Sequence, residues 1–283
     1  MSDEWFTSKL FPYGNGNTED GCHASEAQAL KDYLRKKTTA AEAARAITLQ
    51  MTLEDEPEES LHRLWGLLQD ALVELPAEHI EPMIELLKAI EELPEPDFSG
   101  IDEIKLPSKK LWKELPGFVN LWCDCFQSSV WRDEAAAAKG AERDALRLEH
   151  VRKAEIEARM AAAGIADIPI DWGYEVVGEA LESSNALLDF EVPAAEKWFD
   201  FCGQHLFRGA EVGLESWGLK AHITSYRNAA LRDLWEARSN GKMNMNRWSL
   251  WETRLRELQG EEGVVGDAAN AALAVNDKMH PSS

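Results

Sequence analysis

Close cysteine pairs are nearly missing from this chain. Cys22, Cys123, Cys125 and Cys202 offer a single C-x-C, without the C-x-x-C partners that structural zinc and redox sites use. A chain of 283 residues buries enough core to stand without staples, so the four read as reduced thiols of an intracellular protein. Long apolar runs are missing too. No stretch approaches the roughly 20 residues that span a bilayer, and MSDEWFTSKLF at the start has no basic segment ahead of an apolar one. No membrane association is expected, and the expected location is the cytoplasm. Basic residues are outnumbered, 30 against 51 acidic, and a formal net charge of −21 repels a phosphate backbone, which argues against nucleic acid as a partner. Alternating runs of β-branched residues are also absent, and with them the signal for strands.

What is present is helical periodicity. Residues 1–23 hold Pro12 and the cluster YGNGNTEDG, which breaks helices and strands alike, so they read as an irregular arm. From Ala24 onward one all-α domain is expected, running to about residue 280. Thr39 and Glu42 have the spacing of a capping box. Leu61, Leu64, Trp65, Leu68 and Leu72 share a helix face that Pro76 ends, and Ile80, Met83, Ile84, Leu87 and Ile90 mark its neighbour, with Pro82 at its start and Pro94 after its end. Joined by so short a break, these two should pack as a hairpin. The segment PEPDFSGIDEIKLPSKK, 94–110, carries three prolines and no period, and a subdomain break is expected there. A short helix around Phe118–Phe126 follows, then a long, partly exposed helix over 135–164 with i,i+4 pairs such as Glu149 and Lys153. Val176 to Leu188 mark another, VPAAEKWFDFCGQHLF begins one more with Pro193 near its start and Trp198 and Phe199 inside, and RWSLWETRLREL, 247–258, falls on the penultimate helix. The fold class is all-α, without a sheet: stacked antiparallel hairpins of roughly nine or ten helices, with Trp65, Trp198, Trp235, Trp248 and Trp251 in or beside the core.

Motifs for familiar chemistry are lacking. There is no G-x-S-x-G, no P-loop and no G-x-G-x-x-G, and the glycines at 14–16 follow no strand. His23, His62, His79, His150, His205, His222 and His280 form no metal-binding pair. Glu59 and His62 give one E-x-x-H, but a di-iron bundle needs it twice. His205 lies three residues after Cys202 in the apolar FDFCGQHLF, without a third group to complete a nucleophile and base. No catalytic residue, metal or cofactor is assigned.

The candidate ligand-binding set is Trp198, His205, Arg247, Trp248, Trp251 and Arg254. Trp248 and Trp251 share a face with Leu255 and Leu258, the pattern of rings buried between helices. The alternative is an aromatic floor for a small molecule, with Arg247 and Arg254 meeting its carboxylate or phosphate. The plainer expectation pairs those arginines with carboxylates of the 176–189 region, including Glu182.

The order of LWGLLQDALVELP, ELLKAIEELP, LWKELPGF, VPAAEKWFDFCGQHLF and RWSLWETRLREL resembles that of a helical family from filamentous fungi, domain of unknown function 3632. The likeness runs from about residue 60 to residue 260. Its strongest pieces are Val192, Pro193, Ala194, Ala195, Trp198 and Gly203, with Arg247, Trp248, Trp251 and Arg254. One departure is ALRDLWEARSNGK, which has Arg232 and Asp233 where a glycine and a proline usually precede the Leu-Trp pair. The resemblance implies a fungal intracellular protein and no particular reaction. The expected function is that of a non-enzymatic scaffold binding another protein. The alternative is a small-molecule binder, or an enzyme of fungal specialised metabolism, with a pocket between the C-terminal helices.

Overall fold

The computed structural model describes residues 3–12, 21–54, 56–97, 110–127, 130–220, 229–236 and 240–279, apart from the Glu59 and Met279 side chains. The cluster at 13–20, most of the 94–110 connector, the carboxylate of the E-x-x-H, His222 and His280 lie outside the described residues. Within them are twelve α-helices and three 3-10 turns. No strand forms among them, and the single bridge pairs Glu215 with Lys242. The all-α class stands, with slightly more helices than expected.

The chain divides into two compact units, residues 1–127 with 163–167, and residues 128–162 with 168–283. The first unit holds α1 (Asp3–Leu10), α2 (Ala24–Leu34), α3 (Ala40–Thr48), α4 (Pro57–Glu74), α5 (Ile80–Glu91) and α6 (Phe118–Phe126). The arm read as irregular thus starts with a helix. Among the contacts that hold it, Lys9 pairs with Asp70 at 2.8 Å, the Trp5 indole donates to Glu74 at 2.7 Å, and Asp3 pairs with Lys31 at 2.7 Å. Thr39 caps α3, and Glu42 answers by accepting the Thr39 N–H. The hairpin partners α4 and α5 do touch, while α3 packs against both α2 and α5. Trp65, Leu68 and Leu72 are buried as their spacing requires, and the Trp65 indole donates to the Pro116 carbonyl at 2.7 Å.

The second unit holds α7 (Trp131–Ala137), α8 (Gly140–Ala163, whose last residue belongs to the first unit), α9 (Asp171–Glu182), α10 (Leu188–Val212), α11 (Met245–Leu258) and α12 (Val264–Met279). The helix expected over 135–164 is interrupted at Ala138 and Lys139, and Gly140 takes φ +56°, a left-handed value that glycine adopts without steric cost. Trp131 stacks on His150 with ring centroids 4.1 Å apart, and burial pushes the pKa of His150 down to about 3, so it packs as a neutral ring. The helix read from Val176 to Leu188 stops at Glu182. Leu188 already opens α10, which places Pro193, read as near the start, inside that helix. The acidic residues at the head of α10 explain the earlier opening. Asp189 takes a two-pronged bond from Arg143, at 2.9 and 2.7 Å, and buried Glu191 pairs with Arg132 and accepts the Leu187 N–H. From there α10 runs through the unit, with α9 and α12 packed on it and α11 against α12.

Candidate functional site

The densest polar cluster of the second unit forms where α9 ends and α11 begins. Asn244 caps α11 by accepting the Arg247 N–H at 3.0 Å, which fixes Arg247 in the first helical turn and Trp251 one turn further on. Both side chains then reach Glu182, the last residue of α9. Arg247 Nε donates to Glu182 Oε1 at 2.6 Å and Nη2 to Oε2 at 2.7 Å, and the Trp251 indole donates to Oε1 at 2.8 Å. A second guanidinium arrives from Arg232, whose Nε and Nη2 donate to Oε2 at 3.2 and 3.0 Å. All three charged groups are buried.

Burial by itself would raise the pKa of Glu182, but the bonds and charges of Arg247 and Arg232, with the Trp251 N–H, outweigh it and hold the carboxyl below its ordinary range. Two cations therefore share one anion in a dry interior. The remaining donors are met by carbonyls: Arg247 Nη1 by Asn240 and Lys242, its Nη2 by Leu219, and Arg232 by Gly218 and Leu219. All five N–H bonds of Arg247 thus have an acceptor inside the unit.

The rest of the set chosen from sequence is dispersed around this cluster. Trp198, Trp248 and Trp251 are all buried. Trp248 meets Phe207, Phe199 and Trp251 at centroid distances of 5.1, 5.9 and 6.0 Å, edge-on or tilted, as packed rings prefer. Trp198 lies on Gly173 so closely that a Cβ there would come within 2.5 Å of its ring. His205 stands exposed on α10, contrary to the apolar surroundings read from FDFCGQHLF, because helix periodicity turns it away from buried Cys202 and Leu206. The Cys202 thiol donates to the Ala158 carbonyl at 3.3 Å, and burial pushes its pKa up to about 12, the condition of an inert thiol. Arg254 pairs with Glu257 on its own helix at 2.8 Å, not with α9. The Glu182 partnership expected for both arginines holds for Arg247 alone.

The profile of a family described as protein of unknown function (DUF3632) matches residues 65–255, two thirds of the chain and the whole of this cluster. The chain belongs to that family. Neither a curated protein nor a solved structure matches it. The DUF3632 region also takes in a cleft of about 390 Å³ in the first unit, whose walls include Lys113, Glu114, Asn120, Ala166 and Asp167. None of the six residues chosen from sequence lines it. The Glu91 carboxylate accepts the N–H groups of two of its lining residues, Glu114 and Ala166, and burial raises its pKa. Glu114, Leu115, Ala166 and Asp167 all have positive φ there.

Arg232 is the member of the cluster that sequence reasoning missed. Its neighbours in sequence, among them Leu231, Asp233, Leu234 and Trp235, follow no helical period, so nothing in the spacing marks it as buried. One signal was present: the resemblance implies a glycine where Arg232 stands, and the structure gives Arg232 a left-handed φ of +49°.

Proposed function

We propose that this protein is a non-enzymatic interaction module that binds another protein through a surface of its second unit. The observation that carries this reading is an exposed apolar corner where the chain leaving α10 meets the chain entering α11. The Met243 N–H donates to the Leu214 carbonyl at 2.7 Å, and Glu215 bridges to Lys242, so the two segments lie side by side. Around this junction Val212, Leu214, Trp217 and Met245 are 68, 39, 46 and 42% exposed. Large apolar side chains grouped on a surface mark sites that another molecule covers, and tryptophan and methionine are among the residues enriched at interfaces. The internal satisfaction of Arg247 supports the same reading over a ligand pocket, since a carboxylate or phosphate would have to displace Glu182 to reach it.

The four free thiols support a reducing compartment, and the cytoplasm is the proposed location. Among the described residues no helix is long and apolar enough to cross a membrane. With a net charge of −21, the partner we propose is a protein and not a nucleic acid.

Native mass spectrometry of the protein recovered gently from its own host tests the proposal. A protein-sized added mass that disappears in the Leu214→Ser, Trp217→Ser double variant is the expected result. A small added mass of constant value, unaffected by those substitutions, would replace this reading with that of a small-molecule binder.

A further inference from the structure

Residues 229–236 lie on the second unit as a strap whose fastenings are polar. Asn185 donates its side-chain amide to the Ala229 carbonyl and accepts the Leu231 N–H, both at 3.0 Å. The Arg232 N–H donates to Ser183 Oγ at 3.1 Å, the Leu234 N–H to the Glu182 carbonyl at 2.8 Å, and the Ser184 N–H and hydroxyl to the Asp233 carboxylate at 2.9 and 2.7 Å. From 231 to 236 only Arg232 is buried, with Trp235 half-buried over Arg247. A segment with so little apolar burial sits at the low end of local stability. The left-handed backbone of Arg232 also disfavours a residue that has a Cβ.

The Arg232 guanidinium fills a fitted socket. Glu182 Oε2 and the Leu219 carbonyl meet one edge, at 3.0 and 3.3 Å for Nη2, and the Gly218 carbonyl meets Nη1 at 2.8 Å. Gly178 forms the floor, where a Cβ would lie 2.2 Å from Nη2. Glu182 does not depend on this occupant. Arg247 makes the shorter bonds and neutralises its charge, so Arg232 brings a surplus positive charge; burial raises the pKa of Glu175 on α9 to about 7 despite the opposing pull of that charge. Withdrawing Arg232 leaves Glu182 paired with Arg247 and leaves a recess lined by three acceptors, of which Glu182 Oε2 and the Leu219 carbonyl also accept from Arg247 Nη2.

We propose that residues 229–236 form a releasable strap latched by Arg232, and that the vacated socket receives an arginine side chain from another polypeptide. The acceptors are spaced for a planar, forked cation, which the compact ammonium of lysine does not match. Release of the strap stands independently; occupation by another chain rests on the interaction-module reading.

Hydrogen exchange of the wild-type protein tests the latch. Peptides covering Leu231, Arg232 and Leu234 are expected to exchange about a hundredfold faster than those covering Cys202 and Leu206 in α10. Equal rates would mean that the strap opens only with the whole unit, and would overturn the release. Arg232→Gly, which suits the local φ, tests the socket. Its melting temperature is expected to rise with millimolar methylguanidinium and not with methylammonium, and Gly178→Ala in the same background should abolish the rise. No response to methylguanidinium would overturn the socket while leaving the apolar corner, tested by its own double variant, untouched. If Arg232→Gly does not fold, tryptic cleavage of the native protein takes its place. Cutting after Arg232 before Lys197 or Arg208 of α10 supports release, and resistance at Arg232 refutes it.

Discussion

Glu182 and Arg247 stand 65 residues apart and meet through two bonds, of 2.6 and 2.7 Å, with both side chains buried. Such a pair is not strong evidence of stability in itself, because desolvation offsets much of the attraction, yet breaking it strands the charge that remains. Here two guanidiniums would be stranded.

Glu182→Gln should therefore destabilise the protein by about 3 to 5 kcal/mol, the cost of removing one partner of a buried pair. Denaturant unfolding followed by tryptophan fluorescence measures this. The pH dependence has a definite sign. The two arginines hold the folded pKa of Glu182 below its unfolded value, so its contribution is complete above the ordinary carboxylate range and is lost as pH falls through the folded value. Part of the wild type's acid sensitivity should vanish in the variant. Unchanged unfolding midpoints would show that Glu182 is not the keystone of α9, α11 and the strap.

Arg247 and Arg254, one heptad apart on α11, separate burial from mere helical alignment. Arg247→Ala removes five bonded donors from a dry site and should cost several kcal/mol, as a buried charge pair does. Arg254→Ala loses only the pair with Glu257, which is 58% exposed, and should cost less than about 1 kcal/mol. Thermal melts of the two variants side by side provide the comparison. Similar losses would restore the idea that the two arginines act together.

The same contrast shows what the sequence could reveal. Periodicity of 3.6 placed Trp65, Trp248 and Trp251 in the interior, because a buried helix face repeats whatever it packs against. Prolines were weaker guides. Pro76 and Pro94 stand beyond helix ends as read, but Pro193 lies inside α10, where acidic residues paired with Arg132 and Arg143 start the helix early. Those pairings are tertiary, and local spacing does not encode them. Arg247 was visible because it sits on a periodic helix. Arg232 was not, since its burial comes from a loop crossing the end of α9, and loops carry no period.

Trp248→Ala should lower the melting temperature by several degrees, since truncating a core tryptophan costs about 3 to 5 kcal/mol. The ring lies among Phe199, Phe207 and Trp251, and its indole donates to Glu252 at 3.1 Å. Trp248→Phe keeps part of the edge-on packing and should lose less. An alanine variant that melts like wild type would contradict the packing and reopen this helix as a binding face.

Glu26 in the first unit offers a test of opposite sign. Its side chain is fully buried; Oε2 accepts the His23 N–H at 2.8 Å, while Oε1 has no partner among the described residues. Burial pushes its pKa up to about 7, against weaker opposition from the His23 bond and the Arg63 charge. The folded state thus binds this proton more tightly than the unfolded state does. The resulting stability is complete below the unfolded value of 4.5 and is lost as pH rises through about 7. Glu26→Gln keeps an acceptor for His23 and carries no charge to desolvate. It should melt above wild type at pH 8, and the difference should shrink toward pH 5, with a slope of at most about 1.4 kcal/mol per pH unit. Calorimetry at the two pH values decides the matter. A variant less stable than wild type at pH 8 would mean that the ionised carboxylate has a counter-charge strong enough to outweigh its burial.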